Sequence, residues 1–285
     1  MILITGATGN LGGHVVQHLR QHLPLDQFAV LVRNVEKAKP LIDQGIHVLV
    51  ADFNQSESLS RAFSGISKLL LISTMVMNRL DQHKAVIDAA KQAGVKHIVY
   101  TGLAIQDIQT SAVKDLMISH FETENYIQKS GLIYTFLRNT MYAEAIPQII
   151  GEQAISNGLA LAGGDGKVPY ATRAELGEAT ANVLIQKGHE NQTYSLVGSQ
   201  AYCFQDIADI LTEIKNSKVE YQNLENQTYR ENLEKNGLPE FWVYLTQGTV
   251  LDIQHHQYDL QSSDLEKLLG RKTAPLKKYL SQVYA

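Results

Sequence analysis

Residues 1–13, MILITGATGNLGG, decide the fold. Ile2 to Thr5 reads as a short buried strand. Gly6-x-x-Gly9-x-x-Gly12 follows at once, and Val15, Val16, Leu19 and Leu23 then recur at helical spacing. Elsewhere this pattern would be an ordinary turn rich in small residues; between a strand and a helix it is a dinucleotide-binding fingerprint. Gly6 permits the tight turn, Gly9 lets the backbone approach a pyrophosphate, and Gly12 lets the helix pack against the strand. The phosphates would lie over the helix N-terminus, where unpaired N–H groups and the helix dipole favour negative charge.

Composition bounds the rest. A chain of 285 residues, 44% hydrophobic, can bury one large core or a core with a smaller lobe attached. The net charge of −4 argues against a nucleic-acid surface, which needs a basic stripe. Cys203 is the only cysteine and forms no internal disulfide, so a reducing, cytoplasmic setting is expected. No signal peptide precedes the first strand, and apolar runs such as Leu69 to Ile72 are too short to span a bilayer.

Phe28 to Val32 reads as the second strand and ends in Arg33-Asn34. In this fold an acid there takes the ribose 2′-hydroxyl. Here an Arg stands instead, and a guanidinium suits a 2′-phosphate, so Arg33 selects NADPH over NADH. A helix is expected over Val35 to Gln44, and a third strand over Ile46 to Ala51. At its end Asp52 and Phe53 border the adenine, where Asp52 either accepts from the amino group or caps the next turn. A fourth strand, Lys68 to Ile72, brings Ser73, Thr74 and Met75 beside the cofactor crevice. Further strands are expected at His97 to Thr101 and Ile133 to Leu137, with helices from Asp81 to Ala93 and Lys114 to Lys129. This alternation predicts an α/β fold with a doubly wound parallel sheet. Past Pro147 the rhythm loosens. Thr172-x-x-Glu175 and Ser263-x-x-Glu266 look like helix caps, Thr193 to Val197 like a strand returning to the sheet, and Phe204 to Lys215 like an amphipathic helix. Residues 1–150 are assigned to a Rossmann domain, and 151–285 to a smaller, mainly helical lobe covering the substrate.

GATGNLGG at the N-terminus, VRN after the second strand, AGV before the fifth, SGLIYTFLRN at the sixth and SSDLEKLLGR near the end together resemble the NmrA-like atypical short-chain dehydrogenases. LLLIS at 69–73, HFETEN at 120–125 and AGGDGKVPYATRAE at 162–175 fit the same family. The resemblance implies an NADPH-dependent enzyme that reduces quinones by direct hydride transfer without flavin. It implies cofactor contacts at Gly6, Ala7, Thr8, Gly9, Asn10 and Leu11, at Arg33, at Ser73 to Met75, and at Asn139, Thr140, Met141 and Tyr142. The substrate would enter between the nicotinamide and the smaller lobe, bordered by Tyr142, Tyr170 and Arg173.

One departure is informative. Short-chain dehydrogenases carry a Tyr-x-x-x-Lys pair on the helix after the fifth strand; the aligned positions here hold Leu116 and His120. Ketone reduction suffers from that loss, because the alkoxide formed needs an acid in the transition state. A quinone becomes a phenolate with a pKa of about 10, which water can protonate later. His120, titrating near neutrality, and Tyr142, placed to stack on the quinone, are the catalytic candidates, each with a structural role as its alternative. His14, His18 and His22 recur every four residues, but His14 and His18 fall on the polar face with no carboxylate or cysteine cluster, so no metal is expected. The expected partner is a small-molecule quinone, with a homodimer left open. The rival function is a non-catalytic NADP(H) sensor, which the missing pair also suits. A reductase or epimerase of another small molecule is a third reading, weakened by Arg33 and by that same absence.

Overall fold

The computed structural model describes residues 1–151 and 153–285. Strands and helices alternate through the first half: β1 (Ile2–Thr5), α1 (Asn10–His22), β2 (Phe28–Val32), α2 (Lys39–Ile42), β3 (His47–Val50) and α3 (Ser56–Ala62). There follow β4 (Lys68–Leu71), α4 (Arg79–Gln92), β5 (His97–Leu103), α5 (Lys114–Ser130) and β6 (Ile133–Asn139). The later chain holds α6 (Ile146–Ile150), α7 (Ala154–Asn157), β7 (Leu159–Leu161), α8 (Arg173–Ile185), β8 (Gln192–Leu196), α9 (Phe204–Lys215) and β9 (Tyr221–Asn223). Helices α10 (Asn226–Lys235), α11 (Glu240–Gln254), α12 (Asp264–Leu269) and α13 (Leu276–Tyr284) complete it. Among the described residues no helix is long and apolar enough to cross a membrane.

Seven strands form one sheet in the order β3-β2-β1-β4-β5-β6-β8, and the pairings from β3 through β6 are parallel. The order reverses between β1 and β4, and in such sheets ligands bind outside the carboxyl ends of the strands at that switch point. Strand side chains alternate between faces. Leu3, Leu69, Leu71, Ile98 and Phe136 pack with Leu59, Val86, Ile87 and Ile127 from α3, α4 and α5. α1 buries Val15, Val16 and Leu19 and packs against α8 so closely that a Cβ on Gly177 would stand 2.6 Å from His14 Cβ.

The chain divides into two compact units. One comprises Met1–Leu103, Ile118–Asn139 and Arg173–Ser195; the other comprises Ala104–Met117, Thr140–Thr172 and Leu196–Ala285. The sequence pattern suggests a single cut at 150; the observed division is discontinuous because α8 packs on α1 and β8 joins the sheet beside β6. Within the second unit β7 pairs with β9, and α9 buries Ile207, Ala208 and Leu211. Asp252 of α11 is fully buried and accepts hydrogen bonds from Ser111 Oγ at 2.6 Å and Ala112 N at 2.7 Å, tying that helix to the segment before α5.

Two local expectations are corrected. Val35 to Gln44 is not one helix but a single 3₁₀ turn followed by the four-residue α2, with Pro40 in its first turn supplying no N–H. Ser263 makes no side-chain cap on α12; Ser262 Oγ instead accepts from Asp264 N at 3.1 Å.

Buried histidines make stability depend on pH. His97 Nε2 donates to Thr135 Oγ1 at 2.8 Å, whose own proton goes to His189 O at 2.6 Å. Burial pushes the His97 pKa down to about 4 and that of His83 to about 3. Between those values and the ordinary 6.5 the unfolded chain binds more protons than the folded one, so stability rises with pH there and is lost as pH falls. A tenfold difference in proton affinity between the unfolded and folded chain is worth about 1.4 kcal/mol. Denaturation midpoints should therefore drop steadily from pH 7 to pH 5, and His97→Gln should flatten the slope.

Candidate active site

The turn after β1 carries the geometry a pyrophosphate needs. Gly6 has φ +65°, a left-handed conformation that favours glycine, and its carbonyl accepts from Gly9 N at 2.9 Å. A Cβ on Gly12 would collide with the Gly6 carbonyl oxygen and stand 2.7 Å from its carbon and 2.9 Å from Ala7 Cα. Gly12 thus serves the contact between helix and turn, whereas the motif alone assigns it to helix–strand packing. Gly9 is the N-cap of α1 and offers no side-chain cap, and the first turn holds no acid. The N-terminal N–H groups of α1 are therefore not taken by a capping side chain, which suits them to an anion. Gly6, Thr8, Gly9 and Asn10 are exposed, while Ala7 and Leu11 face inward and offer a cofactor no side-chain surface.

Arg33 lies exposed past β2 and makes no hydrogen bond or ion pair with any described residue, so its guanidinium fork is available to an anion. Asn34 Oδ1 accepts from Glu36 N at 2.8 Å and shapes the loop. Past β3, Asp52 Oδ1 accepts from both Asn54 N and Asn54 Nδ2 at 2.9 Å; this is the turn-capping alternative, and it engages that oxygen. Phe53 is half-buried beside it and packs on the core under the sheet.

Two buried threonine hydroxyls hold the end of β4. Thr5 Oγ1 accepts from Ile72 N and Thr101 Oγ1 from Ser73 N, each at 2.9 Å. Ser73 and Thr74 are half-buried, and Met75 is exposed. The loop that follows is anchored by Arg79, which is 1% exposed. Its Nε donates to Thr74 O, its Nη1 to Ser119 Oγ at 2.8 Å, and its Nη2 contacts Met75 Sδ at 3.6 Å. The motifs of the sequence do not single out Arg79. A signal existed: a cation in the first turn of a helix works against the helix dipole, so its placement there requires other partners.

α5 supplies the remaining polar groups. Leu116 is buried and apolar. His120 is 7% exposed, and its Nδ1 lies 2.9 Å from Tyr100 OH on β5. Burial first, then the positive Arg79 and the neighbouring His83, hold its pKa well below the usual 6.5, so the ring, like that of His83, is neutral at pH 7. Glu124, one turn on, is clamped by Arg138 of β6 in a bidentate pair of 3.0 and 2.6 Å. Gly102 leaves room for that carboxylate, since a Cβ there would stand 2.9 Å from Glu124 Oε1. Asn139 follows Arg138 and is buried, and Arg173 is half-buried at the start of α8.

The other candidates belong to the second unit. Thr140 N donates to Leu196 O at 3.0 Å, and its buried hydroxyl has no hydrogen-bond partner among the described residues. Met141 and Tyr142 are half-buried, and Tyr142 pairs with Ala171 in an isolated parallel bridge. Tyr170 is 5% exposed, and burial pushes its phenol pKa up, as in a core tyrosine. In α1, the rings of His18 and His22 stack at 4.2 Å, and His18 Nε2 lies 3.1 Å from Asn182 Oδ1.

Known proteins share this sequence and fold. Residues 1–279 match the NmrA-like family. Quinone oxidoreductase 2 of Escherichia coli (strain K12) is 38% identical over 286 residues, covering 100% of this chain and 99% of that one. The structure of the E. coli NADPH-dependent quinone oxidoreductase complexed with NADPH superposes with a TM-score of 0.92 at 37% identity, covering 100% of both chains. That of the Citrobacter sp. triphenylmethane reductase complexed with NADP(H) gives 0.91 at 40% identity, covering 99% of each.

The Gly6–Gly12 contact makes a direct prediction. Gly12→Ala must push the start of α1 off the turn, so a protein that still folds should lose NADPH binding by well over tenfold. Equilibrium titration of cofactor fluorescence, with a thermal melt as the folding control, measures it.

Proposed function

The chain belongs to the NmrA-like family, and on that premise we propose that it is an NADPH-dependent quinone reductase working by direct hydride transfer without flavin. The observation that carries the reading lies on α5. Leu116 is apolar and His120 is a buried neutral imidazole, so neither gives up a proton at neutral pH. NADPH, when bound, supplies the hydride. The chain's own part is to hold it: Gly6, Gly9 and the start of α1 receive the pyrophosphate, and Arg33 takes the 2′-phosphate. Both features fit the group on geometry, the first as a backbone cradle that a Cβ at Gly12 would fill and the second as an uncommitted cation.

A site without an acid selects its acceptor. A ketone becomes a strongly basic alkoxide and needs a proton in the transition state. A quinone becomes a phenolate with a pKa of about 10, close to that of tyrosine, and takes its proton afterwards from water. Positioning and exclusion of solvent then supply most of the rate. A triphenylmethane carbocation needs no proton at all, so the same absence favours that acceptor as a second reading, in keeping with the Citrobacter relative.

Steady-state oxidation of NADPH and NADH by the purified protein, with benzoquinone and with a triphenylmethane dye, tests both. Turnover favouring NADPH is expected, and the better acceptor decides between them. NADPH binding with no turnover on either would assign the chain to the sensors. Arg33→Ala should weaken NADPH binding by about 1.5–3 kcal/mol, the range for a hydrogen bond to a charged group, while leaving NADH nearly unchanged. Equal losses for both cofactors would remove Arg33 from the 2′-phosphate.

A further inference from the structure

We propose that Tyr100 locks the neutral His120 ring with its hydrogen on Nε2, and that this N–H is the fixed donor the site presents to a carbonyl oxygen of a bound ligand. The inference deepens the reductase reading and rests on it for the identity of the ligand.

Counting protons fixes the tautomer. Thr123 Oγ1 lies 2.7 Å from Ser119 O, which can only accept, so the threonine proton goes there. Thr123 Oγ1 is then the acceptor for His83 Nδ1 at 3.0 Å, which makes His83 the Nδ1–H tautomer. Tyr100 is fully buried, and its hydroxyl lies 2.9 Å from His120 Nδ1. Thr123 faces the phenol as well, but its proton is committed to Ser119 O and its oxygen already receives His83. Either the phenol donates to a bare Nδ1, or an Nδ1–H donates to the phenol oxygen. The second arrangement leaves the phenol's own proton only the remaining lone pair of Thr123 Oγ1, to which the phenol makes no hydrogen bond of good geometry, a costly state. The first places the imidazole hydrogen on Nε2. What solvent access the pair keeps belongs to His120, which is 7% exposed against 0% for Tyr100, and its Nε2 is not among the buried side-chain nitrogens left without a partner.

The groups facing the pair decide what such a donor can do. Arg79 and His83 stand on the α4 side, and Thr123 and Glu124 on α5. Burial with the first two keeps the imidazole neutral, and burial keeps the Tyr100 phenol un-ionised above the ordinary tyrosine range. A phenolate product is too weak a base to take either proton. The donor therefore holds its hydrogen through the reaction, and the proton that completes a hydroquinone comes from water. Quinone carbonyl and nicotinamide carboxamide are the two oxygens of this chemistry that the reductase reading brings to the site.

The test is spectroscopic first. Long-range ¹H–¹⁵N correlation of the full-length, histidine-labelled protein at pH 7, with His120 assigned by its loss in His120→Gln, should show a bare Nδ1 and a protonated Nε2. In Tyr100→Phe, which conserves volume, the pattern should shift toward a mixture of tautomers. An Nδ1–H or imidazolium pattern in the native protein would overturn the proposal. Two variants then read function. His120→Asn, whose amide reaches only the Nδ1 position, should lose about tenfold, one hydrogen bond's worth, and His120→Gln, whose amide reaches the Nε2 position, should recover most of it. Equal losses in both would also overturn it. A loss in the NADPH dissociation constant identifies the carboxamide as the acceptor, and a loss in turnover of benzoquinone at saturating NADPH identifies the quinone. A protein inert to quinones would end the reductase reading, while the nitrogen spectrum and the NADPH titration still decide the pair.

Discussion

The close passage of α1 over the carbonyl of Gly6 is the constraint on which the site depends. No side chain fits at position 12, and the left-handed conformation at position 6 turns the chain back toward the helix within a few residues. Together they aim an uncapped helix N-terminus at the ends of β1 and β4, where the strand order reverses. Thr5 and Thr101 extend the same order sideways by catching the backbone as it leaves β4. A dinucleotide cradle built this way is made of backbone and small residues, and its precision comes from what is missing.

On the far side of the switch point the chemistry is set by burial. Arg79, His83, Tyr100, Ser119, His120 and Thr123 form a polar layer between α4, β5 and α5 in which each hydroxyl and imidazole has a defined place. Low solvent access strengthens each hydrogen bond and also removes the imidazoles from acid–base duty near neutrality. Such a layer can orient and polarise a ligand. On the proposed reading it keeps its own protons near neutrality, which suits acceptors that become stable on receiving a hydride alone.

Much of this was legible in the sequence where the signal is local. The glycine spacing, the apolar strand Phe28–Val32, the strand expected over Lys68 to Ile72 and the amphipathic α9 all depend on near neighbours, and the structure forms them, the fourth strand ending one residue earlier at Leu71. The return of β8 to the sheet was also visible as a late β-favouring run. What was not legible depends on distant partners. Nothing near Tyr100 announces His120, nothing near Gly177 announces α1, and Arg79 reads as a surface residue until Ser119 and Thr74 close around it. Tyr170 sits in a sequence with the look of a loop, yet packing carries its ring inward. Asp52 offers two readings, and only the positions of both Asn54 donors show which turn its carboxylate oxygen serves.

The discontinuous make-up of the nucleotide-binding unit has a bearing on how the chain comes to fold. Its outer strand β8 and the helix α8 that covers α1 are contributed by Arg173–Ser195, long after β1 to β3 have been synthesised. Until then Val15, Val16 and Leu19 lack part of the surface that buries them, and the sheet ends at an open β6 edge. Folding is thus governed by contacts of high sequence separation, which close slowly and leave apolar surface and an unpaired strand edge available to other chains meanwhile. The emerging N-terminal half, for all that it contains the complete glycine motif, therefore waits for Arg173–Ser195 before its first helix is covered.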